Sequence, residues 1–294
     1  MSANQEGYYL PSPSHWPIIG SISLALLVSG AVMWMNHIAP GHWFMLGGLL
    51  VLFYMMFGWF GTVIRESEGG KFNQQVDRSF RWGMSWFIFS EVMFFAAFFG
   101  ALFYTRVLSV PWLGEGDTHA LLWEGFKSAW PTAGPLGPQA IQAGTEPEAN
   151  QFSVMAAWGI PAINTLILLT SGATVTWAHW GLKKNKRSHL IIGLFLTVAL
   201  GVSFLVLQAH EYTEAYEKLG LTLNAGVYGA TFFMLTGFHG LHVTIGTIML
   251  IVMLMRSIAG HFTPDHHFAF EAVSWYWHFV DVVWLGLFVF VYWL

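Results

Sequence analysis

Residues 82–104 read WGMSWFIFSEVMFFAAFFGALFY. About 20 apolar residues span the ~30 Å hydrocarbon core of a bilayer, so this stretch is long enough to cross one. Glu91 carries its only formal charge. Arg81 lies ten positions earlier, and at about 1.5 Å of rise per residue the carboxyl sits roughly 15 Å deeper, near the middle of the membrane. An ionised carboxylate at that depth costs at least a few kcal/mol, so Glu91 must be protonated, hydrogen-bonded or turned inward. Two readings stay open here. Glu91 is either a structural peg bonded to a neighbouring helix or a carboxyl that exchanges protons.

The whole chain has the same character. Of its 294 residues 55% are hydrophobic and 10% charged, with a mean hydropathy of +0.54. Soluble domains carry about 25% charged residues, so this is an integral membrane protein. A net charge of −4 argues against a nucleic-acid partner. The sequence contains no cysteine, which excludes c-type haem attachment, iron–sulfur clusters, thiolate-bound copper and catalytic thiols. The N-terminal MSANQEGYYLPSPSHWP lacks the basic n-region of a signal peptide, so insertion is expected to rely on the first span.

Seven apolar segments follow, at roughly 17–38, 42–64, 80–105, 154–180, 189–212, 226–256 and 271–294. A short His-Ile-Ala-Pro-Gly turn at 37–41 makes the first two a helical hairpin. Residues 1–64 therefore read as an N-terminal segment plus this hairpin, and 65–294 as a five-span body. Pro161 lies inside the fourth apolar segment and is expected to kink it. The longest polar connection, about 107–153, is rich in Gly, Pro, Thr and Glu, with room for a short helix near 119–127. A connection of that length is usually functional or partly disordered.

Basic residues set the expected orientation. The 65–81 connection holds Arg65, Lys71, Arg78 and Arg81, and the 181–188 connection holds Lys183, Lys184, Lys186 and Arg187. With Arg256 these make nine on one side, against Arg106, Lys127 and Lys218 on the other. The N-terminus is expected in the cytoplasm and the C-terminus outside.

The 13 histidines invite a haem or metal reading. His239 and His242 stand at i, i+3 and share a helical face. His266 and His267 are adjacent, His210 precedes Glu211, and His278 and Asp281 share a face. A metal centre needs three or four converging ligands with a second shell, and none of these spacings is diagnostic. The expectation is no metal ligand and no catalytic residue, with histidines serving as polar links between helices. A protonated Glu91 needs an acceptor.

Several motifs then carry a resemblance. The run FEAVSWYWHFVDVVWL at 270–285 resembles the last-span signature of subunit III of haem-copper cytochrome c oxidase. VIRES at 63–67, FIFSEVMFF at 87–95, WAH at 177–179 and GVYGATFFMLTGFHGLHV at 226–243 agree with it, in the family's order. The 107–153 loop is longer than in mitochondrial members, which suggests a bacterial protein of the cytoplasmic membrane. The resemblance implies an all-α membrane fold of seven transmembrane helices, two plus five, around a V-shaped cleft holding phospholipids. It implies no haem or metal in this chain, with both expected only in subunits I and II. Subunit I is the implied main contact, with subunit II and phospholipids as further partners. Cytochrome c would donate electrons to the complex and not to this chain. The implied role is to support proton uptake and turnover lifetime of subunit I. By the same resemblance Glu91 matches the family's carbodiimide-reactive glutamate, on a helix the family pairs with that of the TGFHG motif, so that His239 is the first candidate acceptor, with His242 and His210 next; Trp59, Arg65 and Arg256 match lipid-contacting positions. Phe60 stands where relatives often have a second Trp.

Other classes fit less well. A redox subunit with its own haem is invited only by the histidine count. A transporter coupled through Glu91 would show inverted repeats and broken helices, and neither is legible. A quinol oxidase subunit III typically lacks the first two spans, which this chain has.

Overall fold

A computed structural model describes residues 9–137, 140–141 and 151–294. Residues 1–8 of the stretch read against a signal peptide, and parts of the 107–153 loop, lie outside the described residues. Among those described, seven helices are long and apolar enough to cross a membrane. They are α1 (Trp16–Met35), α2 (Gly41–Glu68), α3 (Gln74–Phe103), α6 (Ile160–Lys183), α7 (Arg187–Glu217), α8 (Gly226–Ala259) and α9 (Phe268–Leu287). Between α3 and α6 lie the short α4 (Val110–Gly114) and α5 (Gly116–Leu122) and a minimal parallel pair, β1 (Ala140–Ile141) and β2 (Phe152–Ser153). The protein is an all-α membrane protein of seven spans.

The chain divides into two compact units, Met1–Trp82 and Gly83–Leu294. The division falls inside α3 and not in the connection after α2, so the first residues of α3 belong to the first unit. Asn73 caps α3 by accepting from the backbone N–H groups of Gln75 and Val76. Phe72 meets Phe80 and Tyr9 edge-on, and Arg81 donates to Asp77 one turn away.

Within the first unit, glycine brings α1 and α2 together. A Cβ on Gly30 would lie 2.6 Å from the backbone N of Met45, and one on Gly48 would lie 2.8 Å from that of Leu27. Buried Ser23 spans the same seam, donating to the Gly48 carbonyl. With no hydrophobic drive between helices in lipid, such close approach is what joins them.

In the second unit α6 packs on α7, α7 on α8, α8 on α9, and α9 returns to α6. Trp277 and Trp284 of α9 are fully buried at the centre. Trp277 fits between Gly201 and Gly246, where an added Cβ would come within 2.9 Å of its ring. A buried indole N–H needs an acceptor; Trp277 donates to Ser171 Oγ and Trp284 to Thr165 Oγ1, both on α6 and both at 2.9 Å.

Three local expectations change. Pro161 does not kink a span but occupies the first turn of α6, where a missing N–H removes no helical bond. Residues 154–159 are accordingly non-helical. The short loop helix is Gly116–Leu122, which overlaps the expected 119–127 over its first four residues and begins three residues earlier. The third span continues past Phe103 through a π-helical turn, Tyr104–Ser109, into α4. The following loop packs on the start of α8, where Val227 and Tyr228 donate backbone N–H groups to Ala133 and Thr132.

Candidate functional site

Glu91 lies on α3 and meets α8. Its Oε2 is 2.8 Å from His242 Nε2. The other imidazole nitrogen, Nδ1, is 2.6 Å from the carbonyl oxygen of Phe238. A carbonyl can only accept, so Nδ1 carries a hydrogen and Nε2 of the neutral ring does not. The Glu91–His242 bond therefore contains one proton, held by the carboxyl in the neutral pair or by Nε2 in the ion pair. The two forms carry the same net charge. That allows an ionisable pair at membrane depth without a net buried charge.

Aromatic rings surround the pair. Phe95 sits 5.0 Å from the His242 ring and Phe94 5.9 Å, while Tyr276 of α9 stacks on it at 6.3 Å. Phe94 and Phe98 continue the seam against Phe238. The Glu91 side chain remains 22% exposed and that of His242 11%, so the carboxyl is reachable from one side by an apolar reagent.

His239, the first candidate from sequence, is not the partner of Glu91. Its Nε2 donates to the Val280 carbonyl at 3.0 Å, and its ring packs on Phe204 and Trp284. Three residues along a helix turn about 300°, leaving the two histidines about 60° apart. That angle is enough to aim His239 at α7 and α9 and His242 at α3. His210 lies exposed on α7, beside the fully buried Glu211.

The sequence matches the family model described as cytochrome c oxidase subunit III, over residues 6–120 and 118–294. It is 42% identical over 296 residues to the cytochrome c oxidase subunit 3 of Dasypus novemcinctus, covering 100% of this chain and 99% of the relative. The subunit 3 of Antilope cervicapra is similar at 42%, and that of Nanger granti at 41%, with the same coverage. The chain belongs to the cytochrome c oxidase subunit III family. It is a multi-pass membrane subunit of an oxidase complex that contains other subunits. The Glu91–His242 pair is therefore a feature of a respiratory complex's membrane subunit.

The lipid candidates of this subunit fall in both units. In the first, Trp59 and Phe60 point outward from α2, and exposed Arg65 donates to Thr62 one turn back. In the second, Arg256 ends α8 mostly buried, its guanidinium 4.6 Å above the Phe262 ring.

The structure also assembles groups that spacing left apart. His179 near the C-terminal end of α6, His267 at the N-cap of α9 and Glu271 in its first turn converge. His179 Nε2 is 3.4 Å from His267 Nε2 and 3.5 Å from Glu271 Oε1, and His267 Nε2 is 3.2 Å from that oxygen. The edge of a tetrahedron with metal–ligand bonds of about 2.0–2.1 Å is about 3.3 Å. The Thr263 carbonyl accepts from His267 Nδ1, leaving Nε2 as the ligating nitrogen. These three side chains could hold a divalent cation or share protons among themselves. In the sequence His266 and His267 are adjacent and Glu271 follows His267 by four positions, but nothing there points to His179, 88 positions from His267. On the other side of the bundle Glu211 Oε1 accepts from Tyr292 at 2.6 Å and from Gln208 at 3.3 Å.

Proposed function

We propose that this chain is a non-catalytic core subunit of the oxidase, supporting proton uptake, stability and turnover lifetime of subunit I. The observation that carries this reading is the Glu91–His242 bond, with its single proton and its partial exposure. In the intact complex, Glu91→Gln is expected to assemble normally and retain most oxygen reduction. A glutamine amide can donate to the unprotonated His242 Nε2, so the interhelical bond survives while the exchangeable proton is lost. Oxygen uptake and subunit content of the purified variant check this. Abolished electron transfer in a fully assembled complex would make the carboxyl part of the catalytic proton path and overturn the reading.

In this reading the chain holds no haem or metal of its own. Haem and copper reside in subunits I and II, cytochrome c delivers electrons elsewhere in the complex, and subunit I is the main contact. Phospholipids are further partners, engaged by Trp59, Arg65 and Arg256; a guanidinium can grip a phosphate through two parallel bonds. Arg256→Ala combined with Trp59→Ala is expected to lower the phospholipid that survives delipidating purification and to shorten the active life of the oxidase. Unchanged lipid phosphorus would count against it.

The basic-residue asymmetry supports a cytoplasmic N-terminus and an external C-terminus, and the length of the 107–153 loop supports a bacterial cytoplasmic membrane. Cysteines introduced at Lys71 and Lys184 are expected to react with an impermeant maleimide from the cytoplasmic side, and one at Lys127 from the outside. Labelling of Lys127 and Lys184 from the same side would sink this topology.

A further inference from the structure

A cavity of about 390 Å³ opens outward between α6 and α9, lined among others by Gly172, Ala173, Thr176, Trp177, His278 and Asp281. At its base is a carboxyl that no role described so far uses. Asp281 is only 8% exposed, and its buried Oδ1 has no hydrogen-bond partner among the described residues. The neighbouring imidazole does not serve it. The Thr176 hydroxyl donates to the Gly172 carbonyl and accepts from His278 Nε2. Nor does α6 close over it, because Gly172 leaves room: a Cβ there would stand 3.0 Å from Asp281 Oδ2.

Depth narrows what could complete this carboxyl. The last span runs Phe268–Trp293, and Asp281 is 13 residues in, roughly 20 Å from its start. Gly172 is likewise midway along the 24-residue α6. Lipid headgroups lie about 15 Å from the midplane, and acyl chains carry no donor. A buried polar atom without a partner at this depth is costly; Oδ1 is enclosed, so it is Oδ2 that a donor entering the cavity can meet, and at this depth a protein side chain is the group that carries one. The rim suits a helix. Ala173 is exposed between the exposed Leu169 and Trp177, and with Gly172 it forms a small-residue notch into which another backbone can come close.

We propose that this cavity seats a transmembrane helix of a neighbouring oxidase subunit, which donates a side-chain hydrogen bond to Asp281. The inference rests on the chain's membership of the oxidase complex and is independent of the proton reading of Glu91. The test places a benzophenone amino acid at Ala173 in the purified oxidase, with Phe195 on the exposed side of α7 as the control position. Irradiation is expected to join Ala173, and not Phe195, to a membrane-spanning peptide of another subunit carrying a donor side chain. Adducts with lipid alone, with a second copy of this chain, or none from an oxidase that contains the chain, overturn the proposal. In parallel, Asp281→Leu is expected to lower retention of this chain through a detergent wash about tenfold, while Asp281→Asn, which keeps an acceptor, stays within about twofold of the parent. Wild-type retention of Asp281→Leu would likewise overturn it.

Discussion

Replacing Glu91 with alanine is expected to weaken the attachment of α3 to α8 by about 1–3 kcal/mol, because His242 Nε2 is left without a partner in a water-poor site. The reason lies in the Phe238 carbonyl, which occupies Nδ1 and leaves Nε2 with Glu91 as its partner. Phe95 and Tyr276 pack against the ring, so it cannot swing to a new partner without disrupting them. His242→Ala should cost a similar amount, since Glu91 is then the stranded group. The double variant should be no worse than either single one, because removing both partners leaves nothing stranded. Interhelical hydrogen bonds in membranes couple by about 0.6 kcal/mol on average and up to about 1.7, and a bond with ionic character belongs at the upper end. The midpoint of detergent-induced loss of this chain from the oxidase measures all three variants. Strictly additive losses would show that the two side chains act separately.

Gly193→Val should be more damaging still. A Cβ at Gly193 would lie 2.8 Å from Ala178 Cβ and 3.0 Å from the Ala178 N and Cα atoms. Two of those three obstacles are backbone, so no rotamer change on α6 relieves the clash, and α6 and α7 must separate. Overpacking commonly costs about 1–3 kcal/mol and occasionally more, and here the obstacle is rigid. Separation would also strain the Thr174–Thr197 hydroxyl bond, 2.8 Å across the same seam. The expected result is failure of the second unit to assemble, seen as loss of the chain from the purified complex. Gly100→Ala is the control. Nothing lies within 4 Å of a Cβ at that position, and alanine is the better helix former by about 1 kcal/mol, so assembly should be unchanged. Normal assembly of Gly193→Val would show that the α6–α7 seam can open to admit a branched side chain and would overturn this expectation.

Much of this was legible in the residues themselves. An apolar run of sufficient length can satisfy its backbone in lipid only as a helix or a closed barrel, so the seven spans follow from composition and length. Arg81 at one end of WGMSWFIFSEVMFFAAFFGALFY set the depth of Glu91 by counting alone. The motifs from VIRES to FEAVSWYWHFVDVVWL identified the family. What counting could not settle was which side chains face one another. A proline inside an apolar run reads as a kink or as a start, and only the non-helical chain before Ile160 places Pro161 in a first turn. His239 and His242 share a face by periodicity, yet their separation of about 60° sends one to the Val280 carbonyl and the other to Glu91. His179 is far from His267 and Glu271 in the chain and meets them only because α9 returns to α6. His278 and Asp281 share a face in sequence, yet in the fold Thr176 takes the imidazole and Asp281 Oδ1 has no partner among the described residues. Hydrophobicity fixes how many helices there are and how deep each residue lies. Their rotation about their own axes is set by packing, through glycine notches, indole bonds and ring contacts that exist only once the helices have met.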